Sequence, residues 1–88
     1  MAWTIEFLPA AEKEFGKLDR FTQQRLRDYL RKRVLSAPHP RSHGKALQGD
    51  KAGLWRYRVE KYRIVCKLED ERLIILIVRV AKRDSVYD

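Results

Sequence analysis

Residues 73–78 read Leu-Ile-Ile-Leu-Ile-Val, six apolar side chains in a row. A strand points successive side chains to opposite faces, so a strand built from this run is apolar on both. It therefore has to lie inside a sheet, with cover above and below. In an 88-residue chain that requirement fixes most of the plan. One core must be assembled by burying about 60–65% of the unfolded surface. The run is also far shorter than the ~20 residues of a membrane span, so no membrane partner is expected.

The remaining elements are read from periodicity. Trp3, Ile5 and Phe7 alternate with polar residues and predict a short strand. Pro9 suits a first helical turn, and Ala11, Phe15 and Leu18 supply that helix with an apolar stripe. Asp19 is a plausible N-cap for a second helix over 21–35, with Leu26, Tyr29, Leu30 and Val34 at helical spacing. Residues 36–53 read as a long basic loop, rich in proline and glycine and carrying both histidines. Strands are predicted over 54–59, 61–68 and 73–81, the last two joined by the polar turn 69–72. The order β-α-α-β-β-β implies a single α+β domain spanning 1–88. Two N-terminal helices pack on a mostly antiparallel, roughly four-stranded sheet.

Lys and Arg number 20 against 12 Asp and Glu, a net charge of +8. Such a field draws polyanions, whether nucleic acid, an acidic protein or an anionic surface. The single cysteine, Cys66, excludes an internal disulfide and lies in an alternating run where a buried thiol is expected. The N-terminus shows no basic region followed by an apolar one, so a cytoplasmic location is expected.

Strand alternation sorts the arginines. Arg56 and Arg58 share one face of their strand, with Tyr57 and Val59 on the other; Arg63 lies opposite Ile64 and Cys66. If Tyr57, Val59, Ile64 and Cys66 face the helices, then Arg56, Arg58 and Arg63 meet on the open face. Three guanidiniums there repel one another unless they serve an anion, for which each is a planar, bidentate donor. Lys82, Arg83 and Tyr87 follow the apolar strand directly, and a tyrosine beside cations can stack on a splayed base. The alternative is a solvated, edge-protecting face and a frayed terminus. His39 and His43 are of the residue type best suited to acid–base work but sit among prolines and glycine, off any helix that would pair them on a metal.

The stretch Lys45-Ala-Leu-Gln-Gly-Asp-Lys-Ala-Gly-Leu-Trp-Arg-Tyr-Arg-Val, then Tyr62-Arg-Ile-Val and Lys82-Arg-Asp-Ser-Val-Tyr, resembles the RelE branch of the RelE/ParE toxin superfamily. The resemblance implies a type II toxin that enters the ribosomal A site. There the 2′-OH of the target nucleotide attacks the adjacent phosphate of mRNA, without metal or cofactor. It also implies that Arg56 and Arg58 are the paired basic strand residues and Arg63 the transition-state arginine. Arg83 would stand near the leaving oxygen, and Tyr87 would stack on the base. Arginine effectively cannot lose a proton, so Arg58 is a poor general base; Tyr87, a loop histidine or ribosomal RNA are left for that step. Arg25, Arg27, Arg31 and Lys32, with Arg41, Lys45, Lys51 and Lys82, are candidates to grip RNA. The partners implied are a cognate antitoxin, the 70S ribosome and mRNA, with operator DNA bound only through the antitoxin. Two rival readings are a ParE-like inhibitor of DNA gyrase and a non-catalytic nucleic-acid-binding module.

Overall fold

A computed structural model describes residues 2–82 of the chain. Strand β1 (Thr4–Phe7) leads into helix α1 (Pro9–Gly16), with Pro9 in its first turn where no amide donor is needed. Helix α2 (Arg20–Tyr29) is capped by Asp19, which accepts from the Thr22 amide at 3.2 Å and the Thr22 hydroxyl at 2.6 Å. The helix expected over 21–35 does not stay α-helical to its end. Residues Leu30–Leu35 widen into a π-helical turn, still burying Leu30 and Val34.

The sheet holds five strands where about four were expected, in the order β1-β5-β4-β3-β2. The additional strand is β2 (Lys45–Ala46), inside the segment read as loop; at two residues it has no period to detect. It pairs antiparallel with β3 (Trp55–Val59), which pairs with β4 (Tyr62–Glu69), which pairs with β5 (Ile74–Lys82). Strand β1 lies parallel along the first half of β5, from Thr4↔Ile74 to Phe7↔Ile77. The run 73–78 thus feeds an interior strand, as its double apolarity requires.

Ala11, Phe15, Leu26, Leu30 and Val34 from the helical side close over Tyr57, Val59, Ile64, Cys66, Ile75 and Ile77 from the sheet. Burying a side chain of this size contributes about 1.5–3 kcal/mol before entropy is charged. The Cys66 thiol is fully enclosed, and that burial pushes its pKa up to about 12, so it stays protonated and inert. A register shift beside Val65 and Cys66 breaks the alternation in β5. Val65 stands across from Arg79 and Cys66 across from Ile77, leaving Val78 as the extra residue. Val78 then joins Leu47, Leu54, Val65 and Ala81 in a second, smaller apolar cluster.

Segment 36–44 packs where the helices end. The Tyr57 hydroxyl donates to the Pro40 carbonyl at 2.7 Å, and the Trp55 indole N–H to the His43 carbonyl at 2.8 Å. Gly44 makes this approach possible. Its φ is +83°, and a Cβ there would lie 2.4 Å from the Arg56 carbonyl oxygen.

Candidate nucleic-acid interface

The β3–β4 register decides which cations meet. Arg58 lies directly across from Arg63, and Arg56 across from Val65 on one side and Lys45 on the other. Same-face residues two apart on a strand are separated by about 7 Å. Lys45, Arg56, Arg58 and Arg63 therefore form two neighbouring rungs on the face turned away from the core. Like charges directly opposite on a ladder are destabilising by themselves.

The floor of this patch is apolar. Leu47 and Val65 are buried beside it, with Leu54, Val78 and Ala81 around them. Arg63 is only 7% exposed, the one charged residue buried among the described ones. Arg56 is half-buried, and its Nε is enclosed with no hydrogen-bond partner among the described residues. A cavity of about 460 Å³ opens between Lys45, Arg56 and residues 46–50. A guanidinium held in an enclosed, partly apolar setting interacts with an anion more strongly than one in open water.

The other expected residues are spread around the molecule. Lys82 ends β5 opposite Tyr62, one residue past Ala81, the register partner of Arg63. Arg83 and Tyr87 lie outside the described residues. Arg41 is taken up by Asp70 in a two-pronged pair at 2.8 and 3.1 Å and sits over the Trp55 ring. The hydrogen bonds from Arg41 hold the Asp70 carboxyl below its ordinary range. Arg27 stacks over Phe15, and Arg31 pairs with Asp28 at 2.9 Å. Both line an apolar groove with Ile5, Phe7, Leu30 and Leu35, away from the two cationic rungs. Lys51 is half-buried in a short 3₁₀ turn.

The His39 Nδ1 accepts from the Arg41 amide at 3.1 Å, and its ring meets Trp3 edge-on, beside the main core. His43 offers its carbonyl to Trp55. Arg33 was passed over in the sequence, although it shares a cavity with Arg25, Lys32 and Arg58. The spacing of 25, 29, 32 and 33 on a helix is the signal that finds it.

The sequence matches the family model of the ParE toxin of type II toxin–antitoxin systems, parDE, over residues 5–87. The chain belongs to that family. No curated protein sequence matches it. The fold is shared with several solved toxins. In the RelBE2 toxin–antitoxin complex of Mycobacterium tuberculosis the TM-score is 0.83 at 24% identity, covering 94% of this chain and 93% of that one. The intact E. coli RelBE complex gives 0.72 at 23%, over 93% and 98%. The archaeal RelE–RelB complex of Pyrococcus horikoshii gives 0.70 at 20%, over 98% and 100%. Family and fold together set the toxin in the RelE/ParE superfamily. No helix among the described residues is long and apolar enough to cross a membrane.

Proposed function

We propose that the toxin is a ribosome-dependent endoribonuclease whose working face is the pair of cationic rungs on the open side of the sheet. The observation that carries this reading is the register itself, which sets Arg58 against Arg63 and Arg56 beside Lys45. An RNA phosphate laid across them gains several charge-assisted hydrogen bonds. In the reaction the 2′-oxygen loses its proton and bonds to phosphorus, the bond from phosphorus to the 5′-oxygen breaks, and that oxygen takes up a proton. The products are a 2′,3′-cyclic phosphate and a 5′-hydroxyl. Arg56, Arg58 and Arg63 stabilise charge gathering on the non-bridging oxygens. Arg83 and Tyr87 are assigned to the leaving oxygen and the base. Proton removal falls to a group other than Arg58, since a guanidinium stays charged.

A site of fixed cations needs its substrate positioned for it, which suits mRNA held in the A site. Cleavage is expected on 70S ribosomes without added divalent metal at the toxin's own site, and poorly on naked RNA. Efficient metal-dependent cutting of free RNA contradicts the reading. Antitoxins accompany the toxin in the solved RelBE2, RelBE and archaeal complexes. A cognate antitoxin is the corresponding partner here, in the cytoplasm, and the one through which operator DNA is reached.

The match to a ParE family model favours one rival, inhibition of DNA gyrase. Mapping RNA 5′ ends minutes after induction, alongside gyrase-dependent DNA breaks, separates the two. Breaks without new RNA ends would select gyrase.

A further inference from the structure

At the end of β3, Arg25, Lys32 and Arg33 from the helical side and Arg58 from the sheet surround a cavity of about 380 Å³. Tyr29 and Val59 complete much of its wall. Two carboxylates are near. Asp28 lines the cavity and accepts from Arg31 and from Gln24 at 2.9 Å each. Glu60 turns in and is ion-paired with Arg25.

Glu60 is an unusual tenant for its place. It opens the two-residue turn between β3 and β4, closed by the pair Val59↔Tyr62, with φ at +57°. That conformation favours Gly, Asn or Asp, and a long side chain adopts it against a steric cost. Strain kept at one residue is a reason to ask what its side chain does. Here it sets a carboxylate among cations that outnumber it.

We propose that this cavity is a seat for a backbone phosphate of RNA, held by Arg25, Lys32 and Arg33, and that Glu60 occupies it in the free toxin as an internal anion. Binding exchanges the Glu60 carboxylate for the phosphate on Arg25. The released carboxylate returns to water, so the exchange keeps the cations satisfied in both states and discriminates against weakly charged ligands. The three helix cations are brought together at one cavity, although Lys32 and Arg33 lie in the π-helical turn that follows α2. The seat adjoins the proposed cleavage face through Arg58, but its three holding cations take no part in that chemistry, so it stands whether or not the toxin cuts RNA.

The test uses the full chain and a fluorescent 2′-O-methyl RNA oligonucleotide, which cannot undergo attack by its own 2′-OH. Anisotropy is followed over a KCl series. The double variant Arg25→Gln/Arg33→Gln is expected to lose about tenfold more affinity than Lys13→Gln/Lys17→Gln, a pair with the same charge change on α1. Its log–log salt slope should be shallower by about 1.4, two contacts at ~0.7 each for a single strand. Glu60→Gln leaves the turn's backbone demand unchanged and is expected to tighten binding severalfold. Melting curves confirm that each variant folds. Equal losses in the two double variants overturn the seat, because only net charge then matters. Unchanged or weaker binding by Glu60→Gln overturns the exchange. Preference for a polyglutamate peptide over the RNA overturns phosphate in favour of a protein carboxylate.

Discussion

Beside the helix-covered end of the sheet, Arg41 meets Asp70 through two N–H donors, with the Trp55 ring beneath it. On the open side, the ladder sets Arg58 opposite Arg63 and Arg56 beside Lys45. The residue type is the same and the surroundings are opposite. One region supplies its arginine with a carboxylate from a distant turn, and so fixes segment 36–44 to the β4–β5 connection. The other gathers cations over an apolar floor, where they are worth most to an incoming anion. A chain of +8 therefore places arginines in two kinds of setting, one exposed beside a turn carboxylate and one buried in the sheet at Arg63.

The largest expected effect breaks the comparison directly. Arg63→Gln should lower single-turnover cleavage of ribosome-bound mRNA by about 100- to 1,000-fold, the usual cost of removing one transition-state donor. Arg41→Gln should change it by less than about twofold while lowering the melting temperature. Similar losses of cleavage in both variants would show that the two regions do not divide the work in this way.

Gly44 joins the regions, since the loop passes the backbone of Arg56 there. Gly44→Ala must accept a positive φ and contacts of 2.4 Å to the Arg56 oxygen and 2.6 Å to the Trp55 indole nitrogen. A cost of about 3 kcal/mol is expected from strain plus overpacking. Gly16→Ala meets nothing within 4 Å and should be neutral or mildly stabilising. Urea midpoints compare the two, and equal midpoints would remove the argument for a forced glycine at 44.

These features differ in how far the sequence showed them. Alternation grouped Tyr57 with Val59 and Ile64 with Cys66 because strand period is a local property, and the core cluster contains all four. The Asp19 cap and the Pro9 helix start are equally local. Strand β2 was invisible, since two residues among glycines carry no period. The bulge at Val78 was invisible too, because a strictly alternating reading assumes every residue advances the pleat. Of the candidate site, the sharing of one face by Arg56, Arg58 and Arg63 followed from alternation. The pairing of Arg41 with Asp70 did not, for its partner lies 29 positions away.

Tyr57→Phe sharpens the structural side alone. The hydroxyl donates to the Pro40 carbonyl inside the core, and its removal leaves that buried oxygen without this donor at a cost of about 1–2 kcal/mol. Denaturant unfolding should register the loss while cleavage of ribosome-bound mRNA stays unchanged. A cleavage defect at intact stability would mean that segment 36–44 contributes to the working face.

The smallest effect is the pH dependence of the Arg41–Asp70 pair. Hydrogen bonds from Arg41, helped by the charges of Arg41 and His39, hold Asp70 below its ordinary range. A carboxylate with a depressed folded-state pKa contributes stability that is present above its unfolded value near 4 and is lost as pH falls through the folded value. Asp19 is depressed in the same sense by the Thr22 hydroxyl and amide, so acid also weakens the α2 cap. Melting temperature should therefore drop below about pH 4. Asp70→Asn should flatten part of that limb and leave the Asp19 part in place. Arg41→Gln should flatten the same part, since it removes the first cause of the shift. The pair is half-exposed on both sides and screened by salt, so the flattening should shrink in 0.5 M KCl. An acid limb that survives unaltered in both variants would mean that the Arg41–Asp70 pair contributes nothing measurable to stability.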